Sequence, residues 1–278
     1  MILKRILPAV ALAAPLVFGA GQAAAEGLPF CVSTIGYDSS PAISGNQVAC
    51  SGEGAQSALT GFKVGNLNGS YVEKLQVYLD GTDLKFIATI VASWNSYVFG
   101  GAPVTQTGIT NDYNIYAVVT ASGFITGANS FSANAATLNL YGDKNGGSNL
   151  GLSTIDDTTL AYTGSDGNDV LLGTSSALFS GSGTTSASAG TDGFAVTFDE
   201  FTLKPDGETF FIAPRPFYVR VYSDGDINDG TVETVAPGLF SLAGDVSAEF
   251  QKVPEPGSLA LVGLALAGLG FASRRRSV

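Results

Sequence analysis

Carboxylates carry whatever acid–base or metal chemistry this chain has, because none of its 278 residues is histidine. That excludes a Ser-His-Asp triad, a histidine general base and a histidine metal site. Hydrolysis would need two carboxylates converging on one bond, as in glycosidases. Asp199-Glu200 is a candidate pair, but neighbours on a strand point to opposite faces, so two solvated acids are expected there. Glycine is plentiful, yet no glycine-rich loop joins a strand to a helix as a phosphate site requires. The expectation is a non-enzyme with no catalytic or cofactor-binding residues; a carbohydrate-active enzyme using paired carboxylates is the alternative.

Two acidic segments are candidates for calcium. Gly164-Ser165-Asp166-Gly167-Asn168-Asp169-Val170-Leu171 nearly matches one copy of a nonapeptide calcium repeat. Such repeats hold the ion between stacked turns, and a single copy lacks its partner. A turn leading into a strand at Val170 to Leu172 is therefore expected. Asp224, Asp226 and Asn228 alternate like the start of an EF-hand loop, but Asp229 stands where that loop needs glycine and Val235 replaces its bidentate glutamate. An acidic turn is expected, with a structural calcium site as the alternative and no metal ligand assigned. Trp94, Tyr97 and Phe99 lie together near Asn95 and Ser96. Aromatic side chains at strand ends either pack or stack on sugar rings, and these three are the candidate carbohydrate contact.

Both ends of the chain read as processing signals. Lys4 and Arg5 precede an apolar run from Ile6 to Ala20, and small residues follow up to Ala23-Ala24-Ala25 before Glu26. A cationic start, a short apolar stretch and small residues at Ala23 and Ala25 make a secretory signal peptide, cut after Ala25. The apolar stretch is too short for a comfortable bilayer span. At the other end, Val253-Pro254-Glu255-Pro256-Gly257-Ser258 leads into an apolar run from Leu259 to Ala272 and the cluster Arg274-Arg275-Arg276. The prolines keep the boundary extended and accessible. The helix behind them spans a membrane only if its ends adapt. The arginines stay cytoplasmic by the positive-inside rule, which leaves the body outside.

On those residues, the tail resembles the PEP-CTERM sorting signal of Gram-negative bacteria. The resemblance implies recognition by a membrane-embedded exosortase, cleavage near Pro254 to Pro256, a transient inner-membrane anchor, and transfer to the cell surface or release. It also implies an association with exopolysaccharide and biofilm production. Three segments follow: a signal peptide at 1–25, a secreted body at 26–252 and the sorting signal at 253–278.

The tails hold five of the 13 basic residues and one of the 24 acidic ones, so the body keeps 8 against 23, a net charge of −15. An acidic surface of this kind repels phosphate backbones, so nucleic acid is excluded as a partner; cations and cationic groups are attracted. The only cysteines are Cys31 and Cys50, and in an exported chain they are expected to pair. Closing the short interval between them would remove roughly 3 kcal/mol of unfolded-state entropy.

No helical period is evident in the body, while alternating apolar runs recur. Tyr71, Leu75, Val77 and Leu79 share one face of a strand, and Leu84, Phe86, Ala88 and Ile90 continue the pattern after the turn Asp80-Gly81-Thr82-Asp83, which predicts a hairpin. Further strands are predicted at Tyr113 to Ala121, Ala136 to Tyr141, Phe194 to Leu203, Glu208 to Ile212, Phe217 to Tyr222 and Phe240 to Phe250. Lys204-Pro205-Asp206-Gly207 reads as a turn, the paired prolines Pro214 and Pro216 as a bend, and Ser175 to Thr191 as a mobile loop. The fold class expected is all-β, an antiparallel sandwich or barrel-like body.

Tyr71-Val72-Glu73, Tyr113-Asn114-Ile115-Tyr116-Ala117, the segment Asp169 to Leu172, Phe201-Thr202-Leu203 and Phe210 through Tyr218 together resemble the flocculation-associated PEP-CTERM proteins. The resemblance implies a role in holding cells and exopolysaccharide together as flocs, with no catalytic residues to carry over.

Overall fold

The computed structural model describes residues 28–37, 43–50, 59–184, 193–229 and 235–252. The leader at 1–25 and the tail at 253–278 lie outside these residues. Among the described residues no helix is long and apolar enough to cross a membrane.

In chain order the strands are β1 (Phe30–Val32), β2 (Phe62–Val64), β3 (Asn66–Asp80), β4 (Asp83–Phe99), β5 (Ala102–Val104), β6 (Tyr113–Ile125) and β7 (Ser130–Lys144). Then come β8 (Asp169–Ser175), β9 (Ala177–Thr184), β10 (Gly193–Asp199), β11 (Thr202–Leu203), the short helix α1 (Pro205–Phe210), β12 (Phe211–Ala213), β13 (Arg220–Asp229) and β14 (Gly238–Gln251). Strand pairing runs β7-β6-β4-β3-β14-β13-β10-β9 and returns to β7, every pair antiparallel. The result is a closed up-and-down barrel of eight strands. β8 prolongs β9 along the same edge of β7: Leu138 faces Ser175 and Ser130 faces Thr184.

Alternation decides which residues fill the barrel. Tyr71 lies opposite Ala92, Ala92 opposite Ala117, and Ala117 opposite Leu140, so one layer of the interior comes from four adjacent strands. The predicted β3–β4 hairpin forms, with Gly81 at φ 66° in its two-residue turn. That is a conformation glycine enters without a Cβ clash.

A second sheet of three strands, β12-β1-β2, covers one mouth of the barrel. Its Phe30 and Phe211 stack edge-on against Phe250 of β14 at 5.0 and 5.3 Å, and Phe217 meets Phe250 at 5.0 Å. Phe62 of β2 packs on Tyr97 at 5.6 Å. The Cys31–Cys50 disulfide forms, and Cys31 packs beside Ile212 and Ala213 of β12. The bridge therefore ties the loop before β2 to the cap.

Five local expectations are corrected. Glu208 to Ile212 is not one strand, nor is Lys204–Gly207 a turn: Pro205 takes the first position of α1, where its missing N–H costs nothing, with Asp206 and Glu208 in the first turn. Ser175 to Thr191 is not a loop throughout, since β9 occupies Ala177–Thr184. Its small residues make room for large partners, as at Gly183, where a Cβ would lie 2.2 Å from the Phe131 ring. Asp224 and Asp226 sit within β13 rather than in an acidic turn. The Phe217 to Tyr222 strand begins at Arg220 instead, after the bend that Pro214 and Pro216 impose.

Two glycines test the barrel's curl. A Cβ on Gly244 would lie 1.7 Å from the Asp226 carbonyl oxygen, whereas one on Gly181 would meet the Ala133 Cβ at 3.0 Å. Gly244→Ala is expected to destabilise by about 1–3 kcal/mol or more, as overpacking against backbone does. Gly181→Ala should stay within about 1 kcal/mol. Urea unfolding of both variants measures the difference.

Candidate cation site and polar groove

The excursion between β7 and β8 folds back over the outside of the barrel. Its Leu150, Ile155 and Tyr162 pack on Val72, Val91, Tyr116, Val118 and Tyr141. Lys74, buried on the outer face of β3, donates to the Ile155 carbonyl at 2.6 Å and pairs with Asp157. The phenols of Tyr116 and Tyr141 stack with ring centroids 5.1 Å apart. Desolvation first, and nearby Tyr162 and Asp169 after it, push the Tyr116 phenol far above its usual value, so it stays a neutral donor.

Where this excursion leaves and rejoins the barrel, carboxylate oxygens of Asp143, Asp166 and Asp169 all lie within 4.8 Å of one another. Asp143 and Asp169 are direct cross-strand partners on β7 and β8, a pairing that like charges disfavour. Asp143 is fully buried; its Oδ2 accepts the Ser148 N–H at 2.9 Å, and its Oδ1 has no hydrogen-bond partner. Asp169 accepts from the Ser148 hydroxyl at 2.9 and 3.0 Å and from Ser165. Asp166 accepts the Asn168 backbone N–H at 2.9 Å, which shapes the turn. The nonapeptide-like segment lacked a second turn in the sequence; here a neighbouring strand supplies Asp143 in its place. Oxygen-only ligands around a net negative cluster suit a hard cation such as Ca2+, whose remaining positions water fills.

A second feature lies on the outside of the opposite wall. An open groove of about 830 Å³ crosses the outer faces of β9, β10, β13, β14, β3 and β4. Its lining includes Asn68, Asn95, Tyr222, Asp224, Asp226 and Asp245. Asn95 is the extra residue of a bulge, since Asn68 pairs with Ser96 and Gly69 with Trp94. A bulge re-aims a side chain in this way. Burial, then the charges of Asp224 and Glu249, raise the Tyr222 phenol above its usual value, so it remains a donor. Asp226 faces Asp245 across the β13–β14 ladder, and the Ser247 hydroxyl donates to Asp224. Planar amides, carboxylates and one phenol in an open trough are groups that can hydrogen-bond sugar hydroxyls.

The other sequence candidates fall elsewhere. Trp94 is 4% exposed and Tyr97 0%, and Phe99 is half-buried against the same core. Buried rings present no face to a sugar, so of the two readings of Trp94, Tyr97 and Phe99 the structure shows packing. The Tyr97 and Tyr113 hydroxyls meet at 3.1 Å, and Tyr113 donates to the Thr107 carbonyl at 3.0 Å. Asp199 is held by the Arg220 guanidinium at 2.5 and 3.0 Å, while Glu200 is exposed in the bend after β10, at φ 56°. Ala23, Ala25, Glu26, Val253, Pro254, Glu255, Pro256, Arg274, Arg275 and Arg276 lie outside the described residues.

Among known proteins, a family model described as the PEP-CTERM protein-sorting motif matches residues 252–276. The chain carries a PEP-CTERM sorting signal. The match covers the Pro-Glu-Pro boundary, the apolar run and the arginine cluster quoted above. A PEP-CTERM signal implies processing by an exosortase and an exported, membrane-transiting product. No curated protein and no solved structure matches the chain.

The acidic cluster gives a direct test. Calcium at about ten times its Kd would add about 1.4 kcal/mol, roughly 3–6 °C in a domain of this size. That rise in Tm is expected for the wild-type chain and not for Asp143→Asn, which keeps the shape and removes the buried charge. Magnesium, which is reluctant to shed water, should shift Tm less.

Proposed function

We propose that this chain is a non-catalytic protein of the bacterial surface or extracellular matrix, holding exopolysaccharide or neighbouring cells together and so promoting flocculation or biofilm formation. The observation that supports the reading is the open groove of Asn68, Asn95, Tyr222 and the β13–β14 carboxylates, on a chain that also bears the sorting signal. Its groups are neutral amides, a protonated phenol and accessible carboxylates, which form many weak hydrogen bonds rather than one tight anchor. Weak contacts suffice when many copies are displayed together. An exosortase is the processing partner, acting while the tail is held in the inner membrane after a leader has been cut behind Ala25.

A second reading, a carbohydrate-active enzyme, draws on the opposition of Asp226 and Asp245 in the same groove. Glycoside hydrolysis needs one carboxyl kept protonated by a desolvating site while its partner stays ionised. Both residues are exposed, which favours contact over catalysis.

Tyr222→Ala and Asn95→Ala should each weaken retention on native exopolysaccharide about tenfold, the equivalent of about 1.4 kcal/mol. Full retention by variants with wild-type circular dichroism counts against the groove. Release of new reducing ends by the wild-type protein, abolished in Asp226→Asn, would instead establish the enzyme. Mass spectrometry of the extracellular form is expected to find an N-terminus at Glu26 and a C-terminus within 253–257; full-length protein recovered from the cytoplasm overturns the export account.

A further inference from the structure

Inside the barrel one residue breaks the apolar pattern. Glu73 occupies the inward-facing register of β3 between Tyr71 and Leu75, and its cross-strand partners are Ile90 and Leu242. It makes no hydrogen bond or ion pair among the described residues. The cavity it lines is otherwise bounded mainly by Phe86, Ile90, Ala121, Phe131, Phe194 and Val196, with no second titratable side chain. About 50 Å³ there is open to the centres of water-sized molecules, several times the ~10–15 Å³ that one water needs. A second apolar chamber of about 40 Å³ adjoins it, sharing Ile90, Val119, Phe194 and Val196, and is lined by Trp94. The Trp94 indole N–H is buried and has no acceptor among the described residues.

An unpaired carboxyl in an apolar interior costs stability that a leucine there would not. Burial alone raises the Glu73 carboxyl to about 7. A group placed at such a cost, facing open space, points to a complement that arrives from outside. We propose that the barrel lumen is a binding site for a small molecule with one amino group and an apolar body of about one ring, the ammonium paired with Glu73 and the body in the chamber beside Trp94. Eight strands leave an interior wide enough for side chains or one small ligand. A carboxylate is the group that both pairs with and hydrogen-bonds an ammonium. The acidic body, at net −15, also concentrates small cations near its surface. This site is separate from the groove and does not depend on what the groove binds.

Trp94 is the only tryptophan, so its emission reports directly on the lumen. The full-length chain is titrated with benzylamine and with benzyl alcohol, its neutral counterpart, at pH 8 and pH 5.5. The expected result is a saturable change in Trp94 fluorescence with benzylamine favoured at least tenfold at pH 8, and that preference lost at pH 5.5, where Glu73 is protonated. Glu73→Gln, isosteric and uncharged, should bind both compounds alike at both pH values. The same variant should abolish a loss of stability in the wild-type chain between pH 5 and pH 8, because a raised carboxyl stabilises the fold below its unfolded value and ceases to as pH passes about 7. No saturable response to either compound, equal binding of the two by the wild-type chain, or an amine preference that survives Glu73→Gln overturns the proposal.

Discussion

The return of β9 to β7 is the pairing on which the rest of the molecule depends. Without it the strands from β3 to β14 would form an open sheet with a polar edge at each side, and long exposed edges invite pairing with other chains. Ser130–Ser132 facing Thr184–Ser182 closes the ring. Closure converts an alternating pattern into an inside and an outside, and fixes the register of every strand at once, since a slip of one residue would turn the apolar face to water. It also explains the glycines at 69, 183, 225 and 244: inward-facing positions where backbone or a ring already fills the space a Cβ would take. The barrel needs bulky residues in its layers and almost nothing at its tightest bends.

Closure also divides the chemistry by location. At the mouth covered by β12-β1-β2, phenylalanines from the cap and from β14 interlock, and the disulfide keeps the cap's own loop in place. The acidic cluster of Asp143, Asp166 and Asp169 sits at this end, where β7 and β8 leave the barrel. The opposite end is filled by Leu75, Val77, Phe86, Ile227, Val235 and Leu242, with Leu79 of β3 exposed at its rim. Glu73 lies between the two fillings. Its neighbours in the layer are all apolar, so the field at its carboxyl is set by burial rather than by any partner, unlike Asp199, which Arg220 holds on the outside.

Much of this was legible because alternation is a local property. The β3–β4 hairpin and the strand of β14 follow from residue types a few positions apart, and the Cys31–Cys50 bridge from there being no other cysteine to pair with. The same alternation carried the signal for Glu73: it shares parity with Tyr71, Leu75 and Val77, and only its charge kept it from being counted on that face. What local reading could not supply was partnership across the ring. Gly181 and Gly183 look like loop residues until Phe131 and Ala133 are seen against them. Asp143 is unremarkable in its own strand and becomes a candidate ligand only when β8 places Asp169 opposite it. Trp94 carries the largest ring in the chain, and its sequence neighbourhood fits either packing or contact with a sugar; the bulge sends Asn95 out and leaves Trp94 in the core, so the residue that reaches the groove is the adjacent amide.

The sorting signal and the barrel make separate demands that are met by separate chemistry. This body is held by aromatic packing, a disulfide and a closed hydrogen-bonded ring, and a disulfide persists in the oxidising compartments that an exported chain reaches. Its surface charge then becomes available for other uses. Four of the body's eight basic residues are committed to ion pairs: Lys74 to Asp157 of the β7–β8 excursion, Lys85 to Asp80, Lys144 to Asp206 and Arg220 to Asp199. Most of the remaining carboxylates lie at the surface, where their charge draws cations toward both the acidic cluster and the polar groove. Cations collected in this way screen the repulsion between acidic barrels displayed side by side, so on the proposed reading the strength of surface contacts is set by ion concentration as much as by the groove's own hydrogen bonds.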